Sequence, residues 1–153
     1  MASVIILAAA VVKACALLTA ADIARVQGER PAKVRESTPQ SDTSHCLIAL
    51  PTAGKSVSIE VTRGPRVAQL ADRLREAAEV ESEEAGEHEA HAIERVPGMG
   101  DEAFWAEGVR LGGLYVRRGE TLLRIVVGGD ESKEAKLNKL RVLVRKALSR
   151  LPK

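Results

Sequence analysis

Aromatic side chains are almost missing from this chain: Phe104, Trp105 and Tyr115 are the only three in 153 residues. A base-stacking platform needs several exposed rings, so nucleic acid is not expected as a partner. With so few rings, the core has to be built from Leu, Val, Ile and Ala. Long apolar runs are missing too, since Val4 to Val12 is too short to span a bilayer unaided. Histidine is scarce, and His45, His88 and His91 lie in polar segments with no nucleophile motif nearby, which leaves no Ser-His-Asp arrangement to argue for. Cysteine is limited to Cys15 and Cys46, so each has a single candidate partner.

The length fits one domain, large enough to bury a core without a metal or several disulfides. The run Val4-Ile5-Ile6-Leu7-Ala8-Ala9-Ala10-Val11-Val12 has the length of a signal-peptide hydrophobic region, and Val12-Lys13-Ala14 resembles a small-residue cleavage site. No Lys or Arg precedes the run, as if the first residue fell inside a longer signal. Residues 1–14 are therefore expected to be a signal-peptide remnant or an apolar N-terminal segment, a possible membrane tether, and 15–153 a single α+β domain. Cys15 then has two readings, a lipid-bearing cysteine or one half of a disulfide with Cys46. Both put the protein outside the cytoplasm, in the periplasm, the envelope or the medium. Lys13 stands where a lipoprotein signal carries a small uncharged residue, and the even count favours the disulfide.

Behind Cys15 a helix start is legible: Thr19 can cap, Asp22 can answer as the capping-box acid, Leu18 and Ile23 can staple, and Gly28 can stop the helix. Residues 29–45 read as a polar loop with one short strand near Val34. Cys46, Ile48 and Leu50 alternate, as do Val57, Ile59 and Val61, which predicts a hairpin around Pro51-Thr52-Ala53-Gly54. Val67, Leu70, Ala71, Leu74, Ala77 and Ala78 recur at helical spacing after Gly64-Pro65 and fray near Glu83 to Glu87. A short strand at Ile93–Val96 and a hairpin turning at Arg118-Gly119-Glu120 follow. In Thr121 to Val127 only Arg124 interrupts the apolar run, the mark of a strand covered on both faces and central in its sheet. A long C-terminal helix from about Ser132 to Leu151 carries the stripe Leu137, Leu140, Val144, Ala147, Leu148 and Leu151. The fold class predicted is α+β, an antiparallel sheet packed by a short N-terminal helix, a middle helix and a long C-terminal one.

Chemistry is thinly marked. His88 and His91 with Glu84 and Glu87 are the best metal candidates for zinc or copper, although the spacing is not His-Glu-x-x-His and no third strong ligand is specified. An exposed polar connection between the middle helix and the next strand is the favoured reading of them. No cofactor is expected. Asp101 and Glu102, being adjacent, should point to opposite faces of an extended chain and so cannot share a substrate. Gly98-Met99-Gly100 is read as a tight turn delivering Phe104 and Trp105 to the core or to a groove, and Phe104, Trp105 and Tyr115 are the candidate lining of a ligand groove. The charge is uneven: eight acids and no Lys or Arg from Glu76 to Glu94, then a strongly basic last segment, read as two solvated helix faces.

Taken in order, Cys15-Ala16-Leu17-Leu18-Thr19-Ala20-Ala21-Asp22-Ile23, Cys46 leading a strand, Ser56-Val57-Ser58-Ile59-Glu60-Val61, Val96-Pro97-Gly98-Met99-Gly100-Asp101-Glu102-Ala103-Phe104-Trp105 and a Tyr-Val-Arg-Arg-Gly hairpin resemble uncharacterised bacterial secreted proteins and lipoproteins of the domain-of-unknown-function kind. The resemblance implies a PsbP-like α+β sandwich, export to the envelope and pairing of the two cysteines. It implies no catalytic residue. The expected role is a non-catalytic envelope domain that binds a protein partner or small ligand, with a metal-binding protein or metal-dependent enzyme using His88 and His91 as the alternative.

Overall fold

The computed structural model describes residues 12–84, 93–108 and 110–152. After a 3-10 turn at Ala14–Ala16, the elements run α1 (Ala20–Gln27), β1 (Lys33–Gln40), β2 (Thr43–Ala49), β3 (Val57–Arg63), α2 (Val67–Glu84), β4 (Ile93–Arg95), β5 (Glu102–Ala106), β6 (Gly113–Arg118), β7 (Thr121–Val127) and α3 (Lys133–Arg150). The seven strands form one sheet in the order β1-β2-β3-β7-β6-β5-β4, every neighbouring pair antiparallel. Two meanders, β1–β3 and β4–β7, are thus joined through α2 and closed by pairing β3 with β7. The expected α+β class holds, and β7 lies at the centre of the sheet.

Alternation along the strands divides the buried side chains between two layers. One face carries Cys46, Ile48, Val57, Ile59, Val61, Trp105, Leu114, Val116, Leu123, Ile125 and Val127, and packs on α1, α3 and the 3-10 turn. The other carries Phe104, Ala106, Tyr115 and Leu122 under Val67, Ala71 and Ala78 of α2. That second layer reaches only the β4–β7 half. Over β2 the same face stays open, with Leu47 exposed and His45 half-buried.

The cysteines are joined: a Cys15–Cys46 disulfide, Cα to Cα 5.0 Å, fastens the segment ahead of α1 to the second strand. Ala14 is fully buried beside it and its N–H donates to Ser44 Oγ at 2.8 Å, so the core begins ahead of Cys15, with Val12 also packed against it. Residues 1–11, which hold most of the apolar run, lie outside the described residues. Helix α1 opens on the expected capping box, with Thr19 Oγ1 accepting from Asp22 N–H and Asp22 Oδ2 from Thr19 N–H, and closes on Gly28 at φ +78°. Arg150 at the end of α3 donates to the same Asp22 carboxylate at 2.7 Å and to Leu17 O at 2.8 Å, pinning the two helices together. Burial works against the ionised Asp22, but the hydrogen bonds from Arg150 and Thr19 outweigh it and hold the carboxyl below its ordinary range.

Three expectations are corrected. Residues 29–45 are not a loop with a short strand: β1 is eight residues long, exposed throughout, and exists because β2 offers it a free edge. Its charges, Pro39 and the shift in register between Ser37 and Gln40 are features that discourage further pairing on its outer side. Glu102–Ala106 is a strand buried on both faces, not only the end of a turn. Asp101 and Glu102 do converge, because the chain is still turning at Asp101. Arg117 lies 3.3 Å from each carboxylate, and Asp101 Oδ2 also accepts from Gly119 N–H at 2.6 Å, bracing the β6–β7 turn.

Candidate ligand cleft at Trp105

Phe104, Trp105 and Tyr115 do not share one groove. Phe104 and Tyr115 are directly paired across β5 and β6 and stack beneath α2 with centroids 4.7 Å apart, while Trp105 points to the opposite face. Trp105 borders a cleft. It has a volume of about 280 Å³ and sits where β5 and β7 end and α3 begins, walled by Trp105, Gly112, Gly113, Val127, Glu131 and Lys136 with Ala106, Glu107 and Lys133 beside them.

The local sequence explains why the cleft exists. Gly113 has φ +131°, and a Cβ there would come within 2.9 Å of Ile125 O, so only glycine lets β6 enter the sheet at this point. Arg124, the lone polar residue in β7, passes over the Tyr115 ring at 5.5 Å and reaches the β5–β6 connection. There its Nε and Nη2 donate to Gly112 O at 3.1 and 2.8 Å, and Nη2 donates to Arg110 O at 2.7 Å. Ser132 accepts from Ala135 N–H and starts α3 on the far side.

Two of the charges at the cleft are engaged, Lys133 with Glu94 and Glu131 with Lys139. Lys136 and Glu107 have no side-chain partner among the described residues. Through Lys139 the Glu131 pair connects to Gln27, buried at the end of α1, which donates to Lys55 O at 3.0 Å and Gly128 O at 3.2 Å and accepts from Lys139 Nζ at 2.7 Å. The side chain that departs from normal satisfaction is Trp105. It is 7% exposed, and its Nε1–H meets no acceptor, the single buried side-chain donor or acceptor in that condition among the described residues. A lone unsatisfied donor in a buried site costs about 1–3 kcal/mol, so its occurrence on a residue that lines a cleft is informative.

The metal expectation falls elsewhere. His88, His91 and Glu87 lie outside the described residues, and of Glu84 only the backbone, as the last residue of α2, is described. Among the described residues no group of three or more His, Cys, Asp or Glu side chains is placed to hold a metal, and no helix is long and apolar enough to cross a membrane. Sequence reasoning missed Lys136, Glu107 and Gln27, whose roles arise from contacts between distant segments.

Fold and site together define a disulfide-pinned α+β domain with a small cleft of mixed polarity at one end of its sheet. Comparison with protein-family models, curated proteins and solved structures gives no match.

Proposed function

We propose that the protein is a non-catalytic binding domain working outside the cytoplasm, and that the Trp105 cleft takes a small molecule bearing a carboxylate. The disulfide supports the compartment, since such bonds persist in oxidising surroundings. The resemblance to secreted and lipoprotein sequences favours the same address. The observation that carries the ligand reading is Trp105, a residue lining the cleft whose buried indole N–H has no partner among the described residues, beside Lys136 as the available cation. A carboxylate offers that donor an acceptor and that cation a counter-charge, while Glu107 favours a donor group on the same ligand. At about 280 Å³ the cleft has room for a small metabolite.

Trp105 is the only tryptophan, so its emission reports this cleft alone. Titration with small amino acids, carboxylates and the matching alcohols should change that emission for a carboxylate and leave it unchanged for its alcohol. Lys136→Met should weaken the response. Equal responses to acid and alcohol, or none to any member of the series, would refute the reading.

A further inference from the structure

We propose a second binding site, at the opposite end of the sheet from Trp105, for an anionic amphiphile: one phosphate or carboxylate head on a short hydrocarbon chain. A groove of about 470 Å³ lies between the start of α2, the end of β3 and the β1–β2 turn, within the size range of small-ligand sites. Arg63, Arg66 and Arg73 line it together with Pro65, Val67 and Leu70. Arg66, Leu70 and Arg73 follow at steps of four and three, which puts them on one face of the helix, and Leu70 N–H already donates to Arg66 O at 3.0 Å.

The charge balance is lopsided. Arg66 and Arg73 face one acid, Asp42, and Asp42 Oδ1 already accepts from Thr43 Oγ1 at 2.9 Å. The Arg66 and Arg73 side chains have no hydrogen-bond or ion-pair partner among the described residues. Nor does the first turn of α2 carry an acid to offset them. Guanidinium forks match the oxygens of phosphate and carboxylate, which accounts for the head. Pro65, exposed, and Leu70, partly exposed, provide an apolar wall beside those forks, which accounts for the chain, because a free inorganic anion would leave that wall wet.

The site is tested by calorimetric titration of the whole chain with octyl phosphate below its micelle-forming concentration, beside inorganic phosphate, octyltrimethylammonium and vesicles of anionic phospholipid. Octyl phosphate should bind once per chain, more tightly than inorganic phosphate, and the cationic amphiphile should not bind. Arg66→Gln and Arg73→Gln, both at exposed positions that leave the core intact, should each weaken binding about tenfold. Trp105 emission should stay constant, which separates this site from the carboxylate cleft. Vesicle binding lost in the same variants would make a membrane lipid the source of the head group, whereas octyl phosphate binding without it would point to a free amphiphile. Inorganic phosphate binding as tightly as octyl phosphate, or an Arg66→Gln/Arg73→Gln double variant with unchanged affinity, would overturn the proposal.

Discussion

Removing the disulfide should destabilise the domain by an amount that can be worked out from its position. Cys15 and Cys46 are separated by 31 positions, for which the chain-entropy relation gives about 3.7 kcal/mol at 25 °C. The variant Cys15→Ser/Cys46→Val removes the link, and because Cys46 is fully buried among apolar neighbours, valine keeps its volume nearly unchanged at a cost below about 1.5 kcal/mol. In a domain of this size each kcal/mol lowers Tm by about 2–4 °C, so the midpoint should fall by about 7–20 °C. Leu17, Leu18 and Ile23 stay buried without the bond, so the variant should still fold and unfold cooperatively. Thermal unfolding followed by circular dichroism, with urea titration alongside, reads both quantities. A Tm within about 2 °C of the parent would refute the reasoning. So would two thiols open to alkylation, without reduction, in protein recovered from the envelope.

Other consequences are as specific. Asp22 has a lowered carboxyl pKa in the folded state, so its contribution is fully present above the unfolded value of about 4 and is lost as pH falls through the lowered folded value. Asp22→Asn should therefore cost about 1 kcal/mol at neutral pH, a gap that urea titrations across the acid range should show closing as pH drops. Gln27→Leu takes the Gln27 donor from Lys55 O and Gly128 O and leaves Lys139 with Glu131 alone and should cost about 2–3 kcal/mol by urea denaturation. Metal analysis of the purified protein should find no stoichiometric zinc or copper. Tight metal that disappears with His88→Ala would instead favour the metal-binding alternative.

Much of the architecture was legible because it rests on local rules. The capping box at Thr19 and Asp22, the Gly28 stop, the alternation of Val57, Ile59 and Val61 and the apolar run that places β7 at the centre each state their structure in a few consecutive residues. Strand β1 gave only a short signal near Val34, since an exposed edge strand is held by a neighbour's backbone and needs no apolar face. Strand β5 was hidden for the opposite reason: Ala103 and Trp105 bury on one face and Phe104 and Ala106 on the other, which removes the alternation of polarity. The same geometry separates Phe104 from Trp105, neighbours in sequence that a simple groove reading joins. Asp101 and Glu102 meet on Arg117 because a turn, invisible to a strand argument, changes the direction of the first. The cleft itself depends on Lys136 in α3 standing near Trp105 in β5, and no local pattern encodes that meeting.

For the carboxylate proposed to enter the Trp105 cleft, the indole N–H is the most direct witness. With a single tryptophan in the chain, a ¹⁵N-labelled sample shows one indole resonance. Adding a carboxylate-bearing small molecule that fits the cleft should shift that resonance saturably downfield, as expected when an unpaired donor gains an acceptor, and the shift should weaken in Lys136→Met. An indole resonance that stays in place through the whole series of small carboxylates, while the backbone spectrum confirms a folded domain, would contradict the proposal.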